Sequence, residues 1–364
     1  MTVSPTTSPP ARRTRAAFHT LTVASVDRLT DDAVAVAFDV PAGLRGAYGF
    51  RPGQSLTLRR TVDGCEHRRS YSICAAAGER PRIGVREIPG GLFSTWLVHE
   101  VRPGDRIDVG TPGGALRADP SAAGRHLLIA AGSGITPLLS IASSVLAHPD
   151  ARATLIYGNR TTGSVMFAED LADLKNRYGP RFDLVHVLSR EPRDVELFSG
   201  RLDPGRLRRL LTALVPLGAL DHVWLCGPFG MIAGARDVLA ELGVAPGRVH
   251  AELFHVDGPP PELHRADSVA AGATSDVTIV LDGRATTAAL PRDRPILDGA
   301  QAVRGDLPFA CKGGVCGTCR ARLIAGEAGM RRNYALDDAE LAHGFVLTCQ
   351  AMAASDAVTV DFDQ

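Results

Sequence analysis

The sequence has no net charge, few cysteines and no uninterrupted apolar run of membrane length. Its 364 residues include 40 Lys plus Arg and 40 Asp plus Glu, so it lacks the broad positive field that attracts nucleic acids or anionic membranes. The uncharged stretch 127–147 is interrupted by Gly132, Gly134 and Pro137, which favours a buried strand, a turn and a helix over a membrane span. We therefore expect a soluble protein that binds neither nucleic acid nor a membrane.

Signal-peptide and hydrolase patterns are also missing. Residues 2–17 are rich in Ser, Thr and Pro and contain Arg12, Arg13 and Arg15 but no apolar segment, so we expect 1–17 to be a disordered tail, with a targeting or contact role as the alternative. The sequence holds no G-x-S-x-G elbow, no Walker A sequence and no H-x-x-x-H pair, which disfavours hydrolases and nucleotide triphosphatases. An odd number of cysteines without a signal sequence favours a reducing, cytoplasmic location.

The chain divides into three blocks by its strand and helix patterns. Residues 18–119 show short, regularly spaced strand patterns that predict an antiparallel β-barrel. Residues 120–255 alternate apolar strands with helical patterns, which predicts a doubly wound α/β domain with a parallel sheet. Residues 256–274 include the prolines at 259–261 and are predicted to be a linker. The third block, 275–364, mixes strands and helices, so the predicted fold class is multidomain α+β and α/β.

Individual elements follow from the same patterns. The predicted strands of the first two blocks lie at 18–26, 34–40, 55–60, 69–74, 83–88, 127–131, 154–157, 184–188 and 223–226. In the second block, Phe167, Leu171, Leu174 and Tyr178 recur at helical spacing and predict one apolar face packed on the sheet. In the third block, strands are predicted at 277–281 and 320–324 and helices at 296–303 and 338–343.

Four of the seven cysteines are crowded into the third block. They have the spacing C-x4-C-x2-C followed by a distant fourth, which is that of plant-type [2Fe-2S] ligation, and they are Cys311, Cys316, Cys319 and Cys349. Four thiolates supply soft anionic ligands for two irons, and the glycines at 313, 314 and 317 let the backbone wrap a cluster. A structural zinc site is the alternative, although such sites usually show paired C-x2-C knuckles and this loop has one.

The cysteine loop carries a resemblance to known proteins. Residues 310–319 and 347–350 resemble plant-type ferredoxin loops, with Lys312 at a position where many ferredoxins have Arg. A ferredoxin module placed after a flavin half and a nicotinamide half resembles the reductase components of bacterial oxygenases, in particular the reductase subunits of phenylacetyl-CoA epoxidases. Further matches to those subunits lie at 50–54, 156–161, 333–334 and 360–364. The resemblance spans 18–364 and implies a β-grasp fold for the third block.

In the first block, Arg69-Ser70-Tyr71-Ser72 is similar to the R-x-Y-S flavin motif of ferredoxin reductases. An arginine can clamp the FAD pyrophosphate, an aromatic ring can stack on the isoalloxazine, and a hydroxyl can reach the flavin N5 edge. Without the resemblance, a tyrosine on a strand usually packs in the core or against a residue of the neighbouring strand. The resemblance also implies that Gly91 and Ser94 bind FAD in a glycine-rich turn before a helix. Arg86, which precedes this turn, is assigned to cofactor binding without a specified cofactor.

In the second block, Gly132-Ser133-Gly134-Ile135-Thr136-Pro137 follows a predicted strand and opens a predicted helix. Glycines there permit a sharp turn and close approach of a pyrophosphate. The third glycine of the usual dinucleotide fingerprint is absent, so a purely structural turn is the alternative. The resemblance favours nicotinamide nucleotide binding by Gly132, Gly134, Thr136 and Pro137.

The choice of nicotinamide nucleotide depends on the ends of the next two strands. NAD-specific sites place an acidic residue after the second strand, whereas this strand ends in Asn159 and Arg160, which we assign to cofactor binding. Ser189-Arg190 after the third strand resembles the 2′-phosphate pair of ferredoxin-NADP reductases, so we predict NADPH. NADH is the alternative, because Glu191 follows directly and an arginine at a strand end is usually a solvated surface charge.

The last predicted strand of this block ends in Cys226-Gly227-Pro228. The resemblance places the nicotinamide beside the flavin here and assigns Cys226, Gly227, Glu252 and Phe254 to this position. It implies Ser72, Cys226 and Glu252 as the catalytic residues. Inert packing is the alternative for a buried cysteine.

Together these motifs predict an oxidoreductase that passes electrons from NADPH through FAD and a [2Fe-2S] cluster to a separate di-iron oxygenase. The resemblance favours the oxygenase subunits of ring-1,2-phenylacetyl-CoA epoxidase as the partner. A reductase for a ketosteroid hydroxylase or an aromatic-ring dioxygenase shares every motif and is the first alternative. A redox-sensing or zinc-stapled binding protein that uses the flavin fold as a scaffold is the second.

Overall fold

The computed structural model describes residues 17–62, 65–254 and 272–364. The described residues fall into two compact units, one ending at residue 254 and the other beginning at residue 272. Among their helices, none is long and apolar enough to cross a membrane. The predicted linker 256–274 and the predicted tail 1–17 lie almost wholly outside the described residues. At their margins, Ala17 pairs with Thr111 and a strand begins at Thr274.

The first part of the larger unit is a six-stranded antiparallel sheet closed into a barrel. Its elements are β1 (Phe18–Thr30), β2 (Ala33–Asp39), β3 (Ser55–Val62), β4 (Cys65–Ser72), β5 (Arg82–Arg86), α1 (Ser94–His99) and β6 (Arg106–Gly110). The strand order is β4-β3-β6-β1-β2-β5, and a bridge between Ile73 and Ile83 joins the two edges. Alternate apolar side chains fill the interior, among them Leu21, Phe38 and Leu58, because every second residue of a strand faces the same side.

The second part of this unit is a five-stranded parallel sheet. Its elements are β7 (Gly124–Ala131), α2 (Ile135–Val145), β8 (Ala151–Asn159), α3 (Ala168–Tyr178), β9 (Phe182–Leu188), α4 (Pro204–Leu214), β10 (His222–Gly227), α5 (Phe229–Glu241) and β11 (Val249–Leu253). The strand order is β11-β10-β7-β8-β9. Buried side chains cover both faces of the sheet, as expected for a parallel sheet with helices on both sides.

The predicted apolar stripe of the second block is confirmed. Phe167, Leu171 and Leu174 are buried at helix α3, and Tyr178 packs against the same core. Phe167 precedes the helix with φ of 59°, an uncommon left-handed conformation for an aromatic residue. Its burial among the core side chains stabilises this turn.

The smaller unit is a mixed sheet with a separate two-stranded pair. Its elements are β12 (Thr274–Leu281), β13 (Arg284–Pro291), α6 (Ile296–Ala300), β14 (Arg320–Ala325), β15 (Ala328–Met330), α7 (Asp338–Ala342), β16 (Phe345–Leu347), β17 (Ala351–Ala353) and β18 (Ala357–Asp361). The sheet has the order β13-β12-β18-β14-β16, and β15 pairs with β17. Strands β12 and β18 run parallel and the other neighbours antiparallel, and helix α6 packs against the sheet core. This arrangement fits the predicted β-grasp fold.

One helix of this unit is shorter than the sequence predicts. The helix predicted over 296–303 ends at Ala300, because the next residues form tight turns that bond back to Gly299 and Ala300. The C-terminal match at 360–364 has a structural explanation. Asp363 accepts hydrogen bonds from the backbone N–H groups of Asp282 and Gly283, at 2.8 Å each, in the hairpin turn between β12 and β13. Both turn residues have positive φ, as a type I′ hairpin turn requires.

Candidate functional site

The R-x-Y-S segment lies at the carboxyl end of β4. Ser70 pairs with Thr57 across the sheet, and their hydroxyl oxygens are 2.9 Å apart. Arg69 is exposed, although one of its N–H groups donates to the Arg68 carbonyl at 2.7 Å. Tyr71 is half-buried, and burial raises the pKa of its phenol. The exposed guanidinium and the protonated phenol therefore have the exposure and protonation that the predicted contacts with a flavin need.

Ser72 connects the barrel to the parallel sheet. Its hydroxyl is buried and donates to Glu252 Oε2 at 3.3 Å. Glu252 lies on β11 in register with Cys226 of β10, so the two side chains share one face of the sheet. Three residues that are distant in sequence, all predicted to be catalytic, therefore lie within one small region.

Burial changes the protonation of this region. Desolvation raises the pKa of Glu252 from 4.5 to about 7, and the Ser72 hydrogen bond partly opposes that shift. Burial also raises the pKa of Cys226, and the Glu252 carboxylate adds to the effect, so the thiol stays neutral. A carboxyl group that titrates near neutrality can hold or release a proton at the Ser72 hydroxyl.

The glycine-rich turn before α1 is closed by Ser94. The Ser94 hydroxyl accepts from the Ile88 N–H at 3.0 Å and lies 3.4 Å from the Ile88 carbonyl. A Cβ on Gly91 would lie 2.5 Å from Ser94 Oγ and 2.8 Å from the Ile88 carbonyl oxygen, so the turn requires glycine at this position. Ser94 thus shapes the turn in this structure, and its predicted bond to FAD stays a prediction.

The predicted nucleotide turn connects β7 to α2 at the carboxyl edge of the parallel sheet. Gly132 has φ of 55°, and the Tyr157 hydroxyl donates to its carbonyl at 2.9 Å. Gly134 packs against β10, where a Cβ would lie 2.2 Å from the Cys226 carbonyl oxygen. Strands β8 and β9 lie on one side of β7 and strands β10 and β11 on the other, so the chain changes direction across the sheet at β7. Ligands bind at such switch points in doubly wound sheets.

Thr136 and Pro137 are buried in the first turn of α2. The Thr136 hydroxyl donates to the Ser133 carbonyl at 2.8 Å. A Cβ on Gly84 of the barrel would lie 2.8 Å from that hydroxyl. Thr136 therefore packs the turn against the barrel.

Two predicted cofactor-binding arginines, Arg86 and Arg160, meet at Asp32. Arg86 Nε lies 3.3 Å from Asp32 Oδ1, and an Arg160 nitrogen lies 3.3 Å from Asp32 Oδ2. Arg86 also donates to the Ser164 carbonyl at 2.6 Å. A Cβ on Gly132 would lie 3.3 Å from an Arg86 guanidinium nitrogen. The Arg86 guanidinium therefore lies directly against the glycine turn, as a phosphate site needs.

The ends of β8 and β9 lie side by side. The N–H groups of Ser189 and Arg190 donate to the carbonyls of Asn159 and Arg160. The Asn159 side chain is buried, and Arg190 is exposed. Glu191 is held by Thr162, whose N–H and hydroxyl each donate to its carboxylate at 2.7 Å. Both hydrogen bonds lower the pKa of Glu191 and keep it ionised.

The remaining predicted residues of this region lie near Cys226. Gly227 ends β10, and a Cβ there would lie 2.6 Å from the Met231 methyl group and 3.3 Å from Ala131, so it packs closely against both side chains. Phe254 is partly buried and packs against the core that contains Trp224 and Cys226. Both residues lie at the same sheet edge as the Gly132 turn.

The four clustered cysteines of the smaller unit form two pairs. Cys311 interacts with Cys316 and Cys319 with Cys349, and in each pair one thiol hydrogen-bonds to the other. The pKa of Cys311 falls to about 5, because Cys316 and backbone N–H groups at 313, 315 and 316 stabilise its thiolate. Within the described ranges, no three His, Cys, Asp or Glu side chains are arranged to hold one metal ion. Two pairs of thiols fit a two-iron cluster with two thiolates on each iron.

Local backbone geometry shapes this loop. Lys312, Gly314 and Gly317 have φ of 51°, 80° and 64°, a left-handed conformation that glycine adopts freely. Lys312 is held by Asp298 and Gln301, which accept from its ammonium at 2.8 and 2.7 Å. The loop therefore turns sharply and presents backbone N–H groups toward the thiols, for example the Gly313 N–H at 3.3 Å from Cys311 Sγ. Such N–H groups stabilise cluster sulfurs.

Three family comparisons follow the same division of the chain. The oxidoreductase FAD-binding domain family matches residues 20–117, the oxidoreductase NAD-binding domain family 128–237, and the 2Fe-2S iron-sulfur cluster binding domain family 279–354. The fold and these matches define the chain as an NAD(P)H-dependent flavin and iron-sulfur oxidoreductase.

Individual relatives narrow this class. The chain is 43% identical to a subunit of 1,2-phenylacetyl-CoA epoxidase from Escherichia coli K12, over 95% of this chain and 98% of that protein. It is 33% identical to the ferredoxin reductase component of 3-ketosteroid-9-alpha-monooxygenase of Mycobacterium tuberculosis, over 94% and 96%. The chain therefore belongs to the family of oxygenase reductase components that contains these proteins.

A solved structure supports the fold. Phthalate dioxygenase reductase, described as a modular structure for electron transfer from pyridine nucleotides to [2Fe-2S], shares 24% identity at a TM-score of 0.61. The match covers 94% of this chain and 98% of that chain. The predicted fold class is confirmed, as is the resemblance to oxygenase reductases.

Sequence reasoning missed three contributors to the site. Asp32 bridges the two arginines, Thr162 holds Glu191, and the Tyr157 hydroxyl binds the glycine turn. Asp32 and Thr162 belong to no motif, and the contacts of all three are made between chain segments far apart in sequence. For Tyr157 alone the sequence offered a signal, because it lies within the match to oxygenase reductases at 156–161.

Proposed function

We propose that this chain is the reductase component of a phenylacetyl-CoA epoxidase. The observation that carries the proposal is the 43% identity to the Escherichia coli epoxidase protein over 98% of its length, against 33% to the ketosteroid component. The partner would be the separate oxygenase of that system, and the acyl-CoA substrate would bind there. A bound flavin supplies the conversion between two-electron and one-electron transfer that such a reductase needs.

The proposed flavin site uses residues of the barrel. Arg69 would hold the pyrophosphate, Ser70 would line the same site, Tyr71 would stack on the ring system, and the turn at 90–94 would admit phosphate to the start of α1. Exposure of Arg69 and the close packing of Gly91 against Ser94 support these roles.

We infer that Ser72, Glu252 and Cys226 line the reacting edge. The Ser72 hydroxyl donates to Glu252, so a proton can be held or moved at the Ser72 oxygen while Glu252 changes protonation state. The neutral Cys226 thiol excludes water from the same side without adding charge. The proximity of these three side chains supports the assignment.

We propose NADPH as the electron donor. Asn159 and Arg160, rather than an acid, end β8, and Ser189 and Arg190 follow β9 at the same edge. Glu191, the nearby carboxylate that could favour the ribose diol of NADH, is bound to Thr162. Initial rates with NADPH and NADH test the preference, and Arg190→Ala should lower kcat/KM for NADPH more than for NADH.

Reconstitution tests the partner. The purified holoprotein is mixed with NADPH and either a phenylacetyl-CoA epoxidase oxygenase or a ketosteroid monooxygenase oxygenase, and product is measured. Epoxide formation coupled to NADPH oxidation supports the proposal. Turnover with the ketosteroid system alone supports the second relative instead, and absence of NAD(P)H oxidation would point to a scaffold or sensor role.

A further inference from the structure

A single carboxylate joins the barrel to the nucleotide turn. Asp32 lies in the turn between β1 and β2, and its oxygens are 3.3 Å from Arg86 and 3.3 Å from Arg160. The Thr30 hydroxyl donates to the same carboxylate at 2.7 Å. Asp32 therefore faces two cations, and one of them, Arg86, lies against the Gly132 turn.

The two arginines differ in how firmly they are held. The Arg86 side chain is 15% exposed and also donates to the Ser164 carbonyl. The Arg160 side chain is 51% exposed, and the structure pairs its guanidinium with Asp32. Arg160 can therefore leave Asp32 without disturbing the buried contacts, whereas Arg86 cannot move without breaking them.

The electrostatic balance favours exchange of partners. Two guanidinium groups share one carboxylate, so these three side chains carry one excess positive charge, and Arg86 lies against the Gly132 turn. A half-exposed ion pair contributes little stability, so an incoming pyrophosphate or 2′-phosphate, each with about two negative charges, can displace it. An arginine binds phosphate and carboxylate with the same planar set of N–H donors.

We propose that Asp32 acts as an internal anion that holds Arg160 until a phosphate group of the pyridine dinucleotide replaces it. This inference rests on the nucleotide site of the proposed function. Asp32 is a positioning residue that lowers nucleotide affinity, because each binding event must break the Asp32–Arg160 pair. Removal of its charge should strengthen binding, an effect that loss of structural support would not produce.

Titration calorimetry on the full-length holoprotein at low salt tests this exchange. Asp32→Asn should lower the Kd for NADP⁺ by about twofold to fivefold, the size of a surface ion pair. Arg160→Gln should weaken binding, and the double variant Asp32→Asn/Arg160→Gln should show none of the gain. Asp32→Ser, a second neutral variant suited to a turn, is measured in parallel in case the amide disturbs folding.

Asp31 provides the matched control. It lies in the same turn and is not a partner of either arginine in the part of the chain that the structure describes. Asp31→Asn removes an equal charge without breaking an ion pair to either arginine. It should therefore lower the Kd for NADP⁺ less than Asp32→Asn does, through long-range electrostatics alone. ADP and 2′-AMP as probes separate the two phosphate sources, since a gain for ADP identifies the pyrophosphate and a gain for 2′-AMP the 2′-phosphate.

The outcomes distinguish this inference from the function on which it depends. Unchanged or weaker binding in both Asp32 variants, with NADP⁺ binding intact in the unmodified protein, overturns the role of Asp32 alone. A gain that persists in the double variant also overturns it. An unmodified protein that binds no dinucleotide overturns both the nucleotide site and this inference.

Discussion

At the scale of single residues, Glu252 is placed by strand pairing rather than by a local motif. It is the parallel register partner of Cys226, and the chain brings β11 beside β10 only after helix α5. The Ser72 hydroxyl then meets it from the barrel, 180 residues away in sequence. The protonation state of this carboxyl therefore depends on the fold of the whole larger unit.

Substitution Glu252→Gln should change how stability depends on pH. The folded-state pKa of Glu252 is raised from 4.5 to about 7, so between these values the folded state binds more protons than the unfolded state. Stability contributed by this group is fully present below pH 4.5 and is lost as pH rises through about 7. Urea unfolding at several pH values from 5 to 8 should show a decline in the unmodified protein that is weaker in the variant. Equal slopes would contradict the assigned protonation.

Gly134→Ala tests the close approach of the nucleotide turn to β10. The added Cβ would lie 2.2 Å from the Cys226 carbonyl oxygen, and neither backbone can shift freely. We expect a loss of about 1–3 kcal/mol, typical of overpacking, seen as a lower Tm. Gly230→Ala in helix α5 is the control, because no atom lies within 4 Å of its added Cβ. A Gly134 variant as stable as that control would show that the turn is not tightly packed.

Site residues could be predicted where all the residues of a motif lie in one continuous segment of the sequence. The R-x-Y-S segment, the glycine turn and the cysteine loop are each continuous in sequence, so spacing and resemblance located them. Asp32 and the Thr162–Glu191 pair were not predictable, because their contacts join segments that only the folded chain brings together. Ser94 shows a further limit, since the sequence located it but not its bond to Ile88.

At the scale of elements, the parallel sheet carries a row of imidazole and indole rings. His126 of β7 stacks with His222 of β10 at 5.2 Å between centroids, and Trp224 stacks with His250 of β11 at 4.4 Å. The Trp224 indole donates to His126 Nδ1 at 3.2 Å. His126 is 2% exposed, and burial and the neighbouring His222 lower its pKa to about 4, although Asp221 opposes the shift.

Acid should therefore destabilise the parallel sheet through His126. The unfolded state takes up a proton near pH 6.5 and the folded state near pH 4, so the stability of this group is present above pH 6.5 and is lost as pH falls between these values. The loss is on the order of 3 kcal/mol. His126→Asn keeps an acceptor for Trp224 and should reduce the acid sensitivity in urea unfolding between pH 7 and 4.5. An unaltered pH profile would contradict a buried neutral imidazole.

Helix α7 is tied to strand β14 by a buried ion pair. Arg320 donates to Glu340 at 2.5 Å, with the two side chains 4% and 10% exposed, and Phe345 covers the guanidinium. Glu340 also accepts from the Asp337 N–H in a capping box. The pair thus fixes an element directly after the predicted ligand Cys319.

Arg320→Met should destabilise the holoprotein by about 3–5 kcal/mol, because it leaves the Glu340 carboxylate buried without its partner. Adding Glu340→Gln should recover most of that loss, since a neutral amide still accepts from Asp337. Thermal unfolding of both variants, followed by loss of cluster absorbance, measures the difference. A double variant no more stable than Arg320→Met would show that the charge itself is not the cause.

Strands were predicted correctly where the sequence is a continuous apolar run and were missed where polar residues interrupt it or where the strand is very short. The strands at 127–131 and 223–226 are continuous apolar runs and were predicted within a few residues of their ends. Strand β11 was not predicted, because His250 and Glu252 interrupt its pattern and all five of its residues are half-buried. The three-residue strands β15–β17 are too short to show a period.

At the scale of the whole molecule, the chain combines a flavin and nucleotide unit with a separate iron-sulfur unit. The sequence predicted this division because each block has its own strand and helix pattern and its own motif. Nothing in one chain identifies an oxygenase partner by physical argument, since the partner's docking surface is not part of it. That assignment depends on the comparison with the Escherichia coli epoxidase protein.

Anaerobic titration of the purified protein with NADPH follows the proposed electron route from donor to cluster. Visible absorbance is recorded during the titration, with FAD, iron and zinc quantified and NADH as the comparison donor. We expect about one FAD and two irons per chain, with both chromophores bleached by NADPH at lower concentration than by NADH. Flavin without iron, zinc in its place, or a cluster that stays oxidised after the flavin is bleached would contradict this route.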